Sequence, residues 1–135
     1  DLVINEFMAN NDAAVPGTYN DYPDWIELYN GGTSTVDLSG MYLTDNLKDP
    51  KWEFSSGTTI SAGGYLVVYT SNSSLPKPGY ANFNLNAQGE SIFLLASDGE
   101  TLIDSIAFAQ QHDDLAYARL PDGGSTWEYM TPTPN

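Results

Sequence analysis

An all-β sandwich or barrel is the fold class this sequence predicts, and three observations predict it. Turn signals built from Gly, Pro, Asn and Asp recur about every 8–12 residues. The intervals between them are rich in Val, Ile, Tyr, Trp, Phe and Thr, residues that suit a pleated, half-buried surface. No window carries a 3.6-residue apolar period with helix caps. The expected architecture has about 8–10 short strands, mostly antiparallel.

Residues 2–8 make the first strand, and the loop at 9–23 is long and polar, with two prolines and many Asn and Asp. In the second strand, 25–30, Ile26 and Leu28 alternate against Trp25, Glu27 and Tyr29. Gly31-Gly32 turns the chain toward Val36-Asp37-Leu38, and residues 41–44 continue it. A short strand at 52–54 and a segment at 58–60 lead to the Ala62-Gly63-Gly64 turn and a strongly apolar strand at 65–70. Residues 71–82, with Pro76 and Pro78, read as a surface loop. Residues 91–96 are apolar on both faces, as a central strand is. Asp98-Gly99 is a strong hairpin signal that returns through 102–108. A last hairpin joins 116–120 to 126–130 across Pro121-Asp122-Gly123-Gly124.

With 135 residues the chain is one domain, spanning 1–130, able to bury roughly two-thirds of its unfolded surface. Thr131-Pro132-Thr133-Pro134-Asn135 reads as the start of an extended linker from a longer, multi-domain protein, or else as a frayed terminus. There is no cysteine, hence no disulfide, thiol nucleophile or thiolate metal site. No apolar run approaches the ~18 residues of a membrane span, and no signal-peptide pattern begins the chain. A mature domain cut from a secreted precursor would look the same.

Charge is the sharpest compositional fact: 18 carboxylates face four cations, a net −14. Phosphate binding draws on counterion release by Lys and Arg, and Lys48, Lys51, Lys77 and Arg119 form no run. Neither a nucleic-acid partner nor insertion into an anionic membrane is expected. The acidity suits solubility outside the cell, in salt or in a crowded surface layer, or else recruitment of Ca²⁺.

Several segments together resemble a prokaryotic lamin-tail domain. They are Val3-Ile4-Asn5-Glu6-Phe7-Met8, Asp24-Trp25-Ile26-Glu27-Leu28-Tyr29-Asn30, and the run Val36-Asp37-Leu38-Ser39-Gly40-Met41-Tyr42-Leu43-Thr44-Asp45. Ile60-Ser61-Ala62-Gly63-Gly64-Tyr65-Leu66-Val67-Val68, Gly89-Glu90-Ser91-Ile92, Ala116-Tyr117-Ala118-Arg119-Leu120-Pro121-Asp122-Gly123 and Pro132-Thr133-Pro134 complete the resemblance, in order, over nearly the whole chain. It implies an immunoglobulin-like β-sandwich. It also implies an accessory module of secreted or surface proteins in bacteria and archaea, often beside hydrolases, nucleases or spore-coat-type proteins. In animals the related domain ends nuclear intermediate-filament proteins and docks protein partners and DNA. This chain has no coiled-coil rod, and its acidity weighs against DNA. The resemblance brings no catalytic residues.

The residues themselves also point away from an enzyme. His112 is the only histidine, Ser39 and Ser105 sit in no nucleophile elbow, and neither HExxH nor a P-loop occurs. His112-Asp113-Asp114 reads as a polar surface loop. Glycoside cleavage needs two carboxyls about 5–10 Å apart, and a small sandwich offers little cleft for them. No cofactor is expected beyond a structural Ca²⁺, which takes six to eight oxygens. Its candidate ligands are Asn10, Asp12, Asn20, Asp21 and Asp24, because strands would bring the two ends of the 9–23 loop together, with Asn11 beside them. Asp45, Asn46 and Asp49 form a second cluster. Neither has EF-hand spacing, and Asn and Asp are also ordinary turn formers.

Glu6 and Glu27 lie inside apolar strands, on a solvated outer face or as polar anchors in a loop-to-strand network. If Ile26 and Leu28 point inward, Trp25 and Tyr29 point outward, and Tyr42 does the same against Met41 and Leu43. Trp25, Tyr29 and Tyr42 are thus the candidate ligand-binding face, unless the rings pair across strands or lie under the long loop. Asn72-Ser73-Ser74 matches a glycosylation sequon, relevant in a eukaryotic secretory setting. The expected function is a non-catalytic interaction or attachment module, extracellular or at the cell surface, contacting a protein. The alternatives are a carbohydrate-binding module, with or without calcium, and an accessory domain of a secreted hydrolase or nuclease.

Overall fold

Leu2 and Ile4 in the first strand and Ile26 and Leu28 in the second turn one way by alternation, and an extra residue in the first strand brings Phe7 to the same side, so these five buried side chains make one wall of the core. The computed structural model describes residues 1–19, 21–71 and 78–134. Among them are twelve strands and no helix. In chain order they are β1 (Leu2–Met8), β2 (Trp25–Asn30), β3 (Val36–Asp37), β4 (Tyr42–Thr44), β5 (Trp52–Glu53), β6 (Thr59–Ile60), β7 (Tyr65–Thr70), β8 (Tyr80–Ala81), β9 (Glu90–Leu95), β10 (Leu102–Phe108), β11 (Ala116–Arg119) and β12 (Trp127–Met130).

They form a six-stranded sheet in the order β12-β11-β1-β2-β7-β8, a four-stranded sheet β10-β9-β4-β5, and the small pair β3-β6. The core lies between the larger two: Ile4, Phe7, Ile26, Leu28 and Val68 from one meet Leu43, Ile92, Leu94 and Phe108 from the other. The segment 91–96, apolar on both faces, is interior as expected, with β10 on one side and β4 on the other.

All pairings are antiparallel except β7 with β8. That strand is a correction, since residues 71–82 read as loop alone. Its two residues pair Tyr69 with Tyr80 and Thr70 with Ala81, and two residues cannot display a period. Three other strands, β3, β5 and β6, are equally brief, and with these four short pieces the count is twelve where about 8–10 were expected. The sequon at Asn72 lies outside the described residues.

Two bulges shape the region of interest. In β1 the register with β2 shifts between Ile4 and Glu6, so Asn5 is the extra residue. In β10 it shifts between Leu102 and Asp104, leaving Ile103 as the extra residue.

Candidate functional site

The three aromatics expected on one outer face do not share one. Trp25 has 0% exposure. It packs with Met8 and Ala116, and Val15 of the long loop closes over them together with Val67 and Tyr69. Alternation placed Trp25 correctly on the side opposite Ile26, but the loop covers that side. Its indole N–H has no hydrogen-bond partner among the described residues. Tyr29 is half-buried on the same sheet and packs on Tyr65, with ring centroids 4.9 Å apart. Tyr42 stands on the other sheet and donates its hydroxyl to Glu53.

Glu6 and Glu27 are not solvated. Each is 1% exposed, and they stand directly opposite one another in the β1–β2 register. The polar network explains how two like groups are tolerated there. Asn5, thrown outward by the bulge, donates to Glu27 Oε1 and Asp122 Oδ1, both at 3.1 Å, and accepts from the Gly123 N–H at 2.8 Å. Tyr65 donates to the other Asp122 oxygen. The β11–β12 turn is thereby pulled onto the sheet. A Cβ at Gly123 would stand 3.1 Å from the Tyr29 ring, and its φ of +72° also favours glycine. Glu6 instead receives the N–H and hydroxyl of Thr133, both at 2.7 Å. Burial raises its carboxyl, and the Thr133 hydrogen bonds oppose that rise. Carboxyls so enclosed anchor Asn5 and Thr133 to the sheet.

The candidate calcium ligands divide between two attachments. Asn10 donates to Asp113, and the backbone N–H groups of Asp12 and Ala13 donate to Asp114 Oδ1 at 2.8 and 3.0 Å. At the other end, Asp21 accepts from the Tyr80 hydroxyl at 2.8 Å and Asp24 from the Asn11 N–H at 3.2 Å. Burial, ahead of the nearby Asp12 charge, pushes the Asp24 carboxyl up to about 6. Asn11 itself pins the loop, donating to Val15 O and Pro23 O and accepting from Ala14 and Val15. Asn20 lies outside the described residues. Asp21 and Asp24 line a shallow polar cavity of about 350 Å³ with Tyr22, Thr70, Ser71 and Asn84. Among the described residues no group of three or more His, Asp or Glu is placed to hold a metal ion. In the second cluster the Lys51 ammonium sits 2.6 Å from Asp45, with Asp49 and Glu90 also in its field. Asn46 is turned into the local loop, accepting from the Lys48 N–H.

Two features escaped the sequence reading. Arg119 donates through Nε to Ile4 O at 2.8 Å, through Nη1 to Gly124 O at 2.6 Å, and through Nη2 to Asp104 Oδ2 at 3.0 Å. Its guanidinium also lies 4.8 Å from the Trp127 ring centroid. From there a row of rings runs outward: Trp127 to Tyr117 at 5.3 Å, Tyr117 to Tyr129 at 4.8 Å, and Tyr129 to His112 at 4.8 Å. The signal for it was the alternation of Tyr117 with Arg119 and of Trp127 with Tyr129. Nothing in that alternation tells how far the facing sheet extends.

Comparison with known proteins agrees with this architecture. No curated protein matches the chain. The family model described as Lamin Tail Domain matches residues 1–110. That span runs from β1 through β10 and leaves the β11–β12 hairpin beyond it. Lamin tail domains are immunoglobulin-like protein-interaction modules, in keeping with the facing sheets described above. With most of its length matched and the sheets in place, this chain belongs to the lamin tail domain family.

Proposed function

We propose that this domain is a non-catalytic interaction module, carried outside the cell or on its surface as part of a larger protein, and that its partner is a protein. The observation that carries this reading is the use made of its enclosed carboxylates. Glu6 holds Thr133, Glu27 holds Asn5, and Asp24 holds the Asn11 backbone, so the groups best placed for acid–base chemistry maintain the scaffold. The net charge of −14 supports a soluble, surface-displayed setting. Of its four cations, Lys51 and Arg119 are ion-paired, which supports the absence of nucleic-acid binding. A position beside a hydrolase or nuclease domain suits the same role. The test presents the purified domain to defined proteins, a glycan panel, and glycoside and phosphodiester substrates. Saturable binding of a protein with no turnover is expected. Turnover that disappears in Glu27→Gln would overturn the reading.

A carbohydrate-binding role is the second reading, favoured by the polar cavity that Tyr22, Asp21, Asp24 and Asn84 line. Tyr22 is exposed at 47% and offers a ring face beside hydrogen-bonding groups, the combination a sugar needs. Calcium attracted to Asp21 and Asp24 would complete such a site. Saturable glycan binding that is lost with a chelator and in Tyr22→Ala would establish it over the first reading.

A further inference from the structure

The register places Phe7, Tyr117 and Tyr129 side by side across β1, β11 and β12, so their rings stand on one face of the six-stranded sheet. Phe7 is covered by Phe108 of β10, at 4.5 Å between centroids. β10 is the last strand of the facing sheet. The face carried by β11 and β12 therefore overhangs, with no strand layer above it among the described residues. Tyr129 is 41% exposed there, and its hydroxyl is fixed by a 3.1 Å hydrogen bond to Gln110 O, so the ring is held ready. β12 is also the terminal strand of its sheet, with a strand partner on one side only. Alternate backbone N–H and C=O groups of such an edge are free to pair with an incoming strand.

We infer that this aromatic shelf and the β12 edge dock an extended basic peptide segment, whose Arg or Lys side chains lie on Tyr117 and Tyr129 beside Asp113, while Glu128, on the opposite face of the edge strand, adds to the negative field they enter. The inference rests on the reading of the domain as a protein-interaction module and names the surface and the partner's chemistry. Charge selects the occupant. A second copy of this chain would bring another −14 to the interface, and like charge at close range opposes it. A cationic segment gains instead, since Glu128 on the edge strand and Asp113 next to His112 are both exposed. The same chemistry already operates at the inner end of the row, where Arg119 lies over Trp127 while paired with Asp104. The outer end repeats the rings and the nearby carboxylates without a cation of its own. This surface lies beyond residues 1–110, the part matched to the family.

The test is an amide NMR titration of the domain with a short synthetic peptide alternating Arg with Val. The same peptide with Glu in place of Arg and a neutral oligosaccharide are run in parallel. The basic peptide is expected to saturate, with shifts concentrated in residues 116–119 and 127–130, and Tyr129→Ser is expected to weaken it about tenfold. Glu128→Lys, at an exposed position, is expected to weaken it with a fully native spectrum. Undiminished binding by both variants, shifts spread over the whole acidic surface, or saturation of the shelf by the acidic peptide or the sugar would each overturn the inference. A basic peptide held elsewhere on the domain also overturns it, while leaving the protein-interaction reading standing.

Discussion

Asp104 and Arg119 form an ion pair across the open end of the sandwich, 3.0 Å between Nη2 and Oδ2, and each also grips the β1 bulge from its own side. Asp104 accepts the Ile4 N–H at 2.8 Å, and Arg119 donates to the Ile4 carbonyl. A bulge leaves backbone groups without ladder partners, and here the two side chains supply them. The pair thus connects β10 of one sheet with β11 of the other at the one place where β1 departs from regular pairing.

Arg119→Lys is therefore expected to behave as a severe change. A lysine can reach one acceptor, whereas the guanidinium serves Ile4 O, Gly124 O and Asp104 together. Both side chains are largely enclosed, and breaking such a pair leaves the partner uncompensated, at a cost of about 2–4 kcal/mol. Urea unfolding of Arg119→Lys, Asp104→Asn and the double variant checks it. Strict additivity of the two losses would show that the pair is not coupled.

Trp25 yields a contrast between two substitutions. Trp25→Ala empties a fully enclosed site and is expected to cost about 3–5 kcal/mol. Trp25→Phe leaves a smaller void and removes an indole N–H that has no partner among the described residues. Deleting an unsatisfied buried donor offsets part of the packing loss, so a net change within about 1 kcal/mol is expected. A Phe variant as unstable as the Ala variant would mean that the N–H is bonded after all.

The bounds of β1, β2, β7 and β10 were legible to the residue, and alternation in β2 also gave its inward face. Trp25 shows the limit of that signal. Alternation gives the side of a sheet, not what folds over it, and the cover depends on Asn11 pulling the loop back through four hydrogen bonds. Glu6 and Glu27 show a second limit, because their burial depends on Asn5 at a bulge and on Thr133 over a hundred residues away in the chain. The Ca²⁺ candidates were chosen for composition at the loop ends. Those ends do come near each other, yet Asn10 bonds the Asp113 side chain, Asp21 the Tyr80 hydroxyl and Asp24 the Asn11 N–H. The overhanging ring row was invisible because it depends on one sheet being wider than the other.

Thr133 ties the last described residues to the domain, so removing its hydroxyl should be felt in the fold. Thr133→Val keeps the side chain's shape and the N–H bond to Glu6 Oε2 while deleting the 2.7 Å hydroxyl bond to Oε1. A hydrogen bond to a charged, enclosed acceptor is worth about 1.5–3 kcal/mol, and a loss near the lower end is expected because the N–H bond persists. Equal urea midpoints for the variant and the parent would show that residues 131–134 contribute nothing to stability.

The enclosed carboxyls also set the direction of the pH dependence. Asp24 titrates near 6 when folded against an ordinary 3.8, with burial as the main cause. Between those values the folded chain binds a proton that the unfolded chain does not. This contribution to stability is therefore fully present below about pH 4 and lost as pH rises through 6. Glu6 and Glu90 are raised as well, both chiefly by burial, and act in the same direction. Asp98 works the opposite way: hydrogen bonds from the Thr101 side chain and backbone lower it to about 2, so its contribution is lost only as pH falls through that value. Asp37, lowered by Ser39, acts likewise. The domain should thus gain stability on acidification from neutral pH toward about pH 4.5 and lose it again in stronger acid. Asp24→Asn isolates the largest step, since the amide oxygen can still accept from the Asn11 N–H. It is expected to stabilise the domain by about 1–2 kcal/mol at neutral pH, after allowance for the side chain's partial exposure, and to change little near pH 4. Urea midpoints across that range decide the matter, and a variant with the parent's slope between pH 4 and 6 would remove Asp24 as its source.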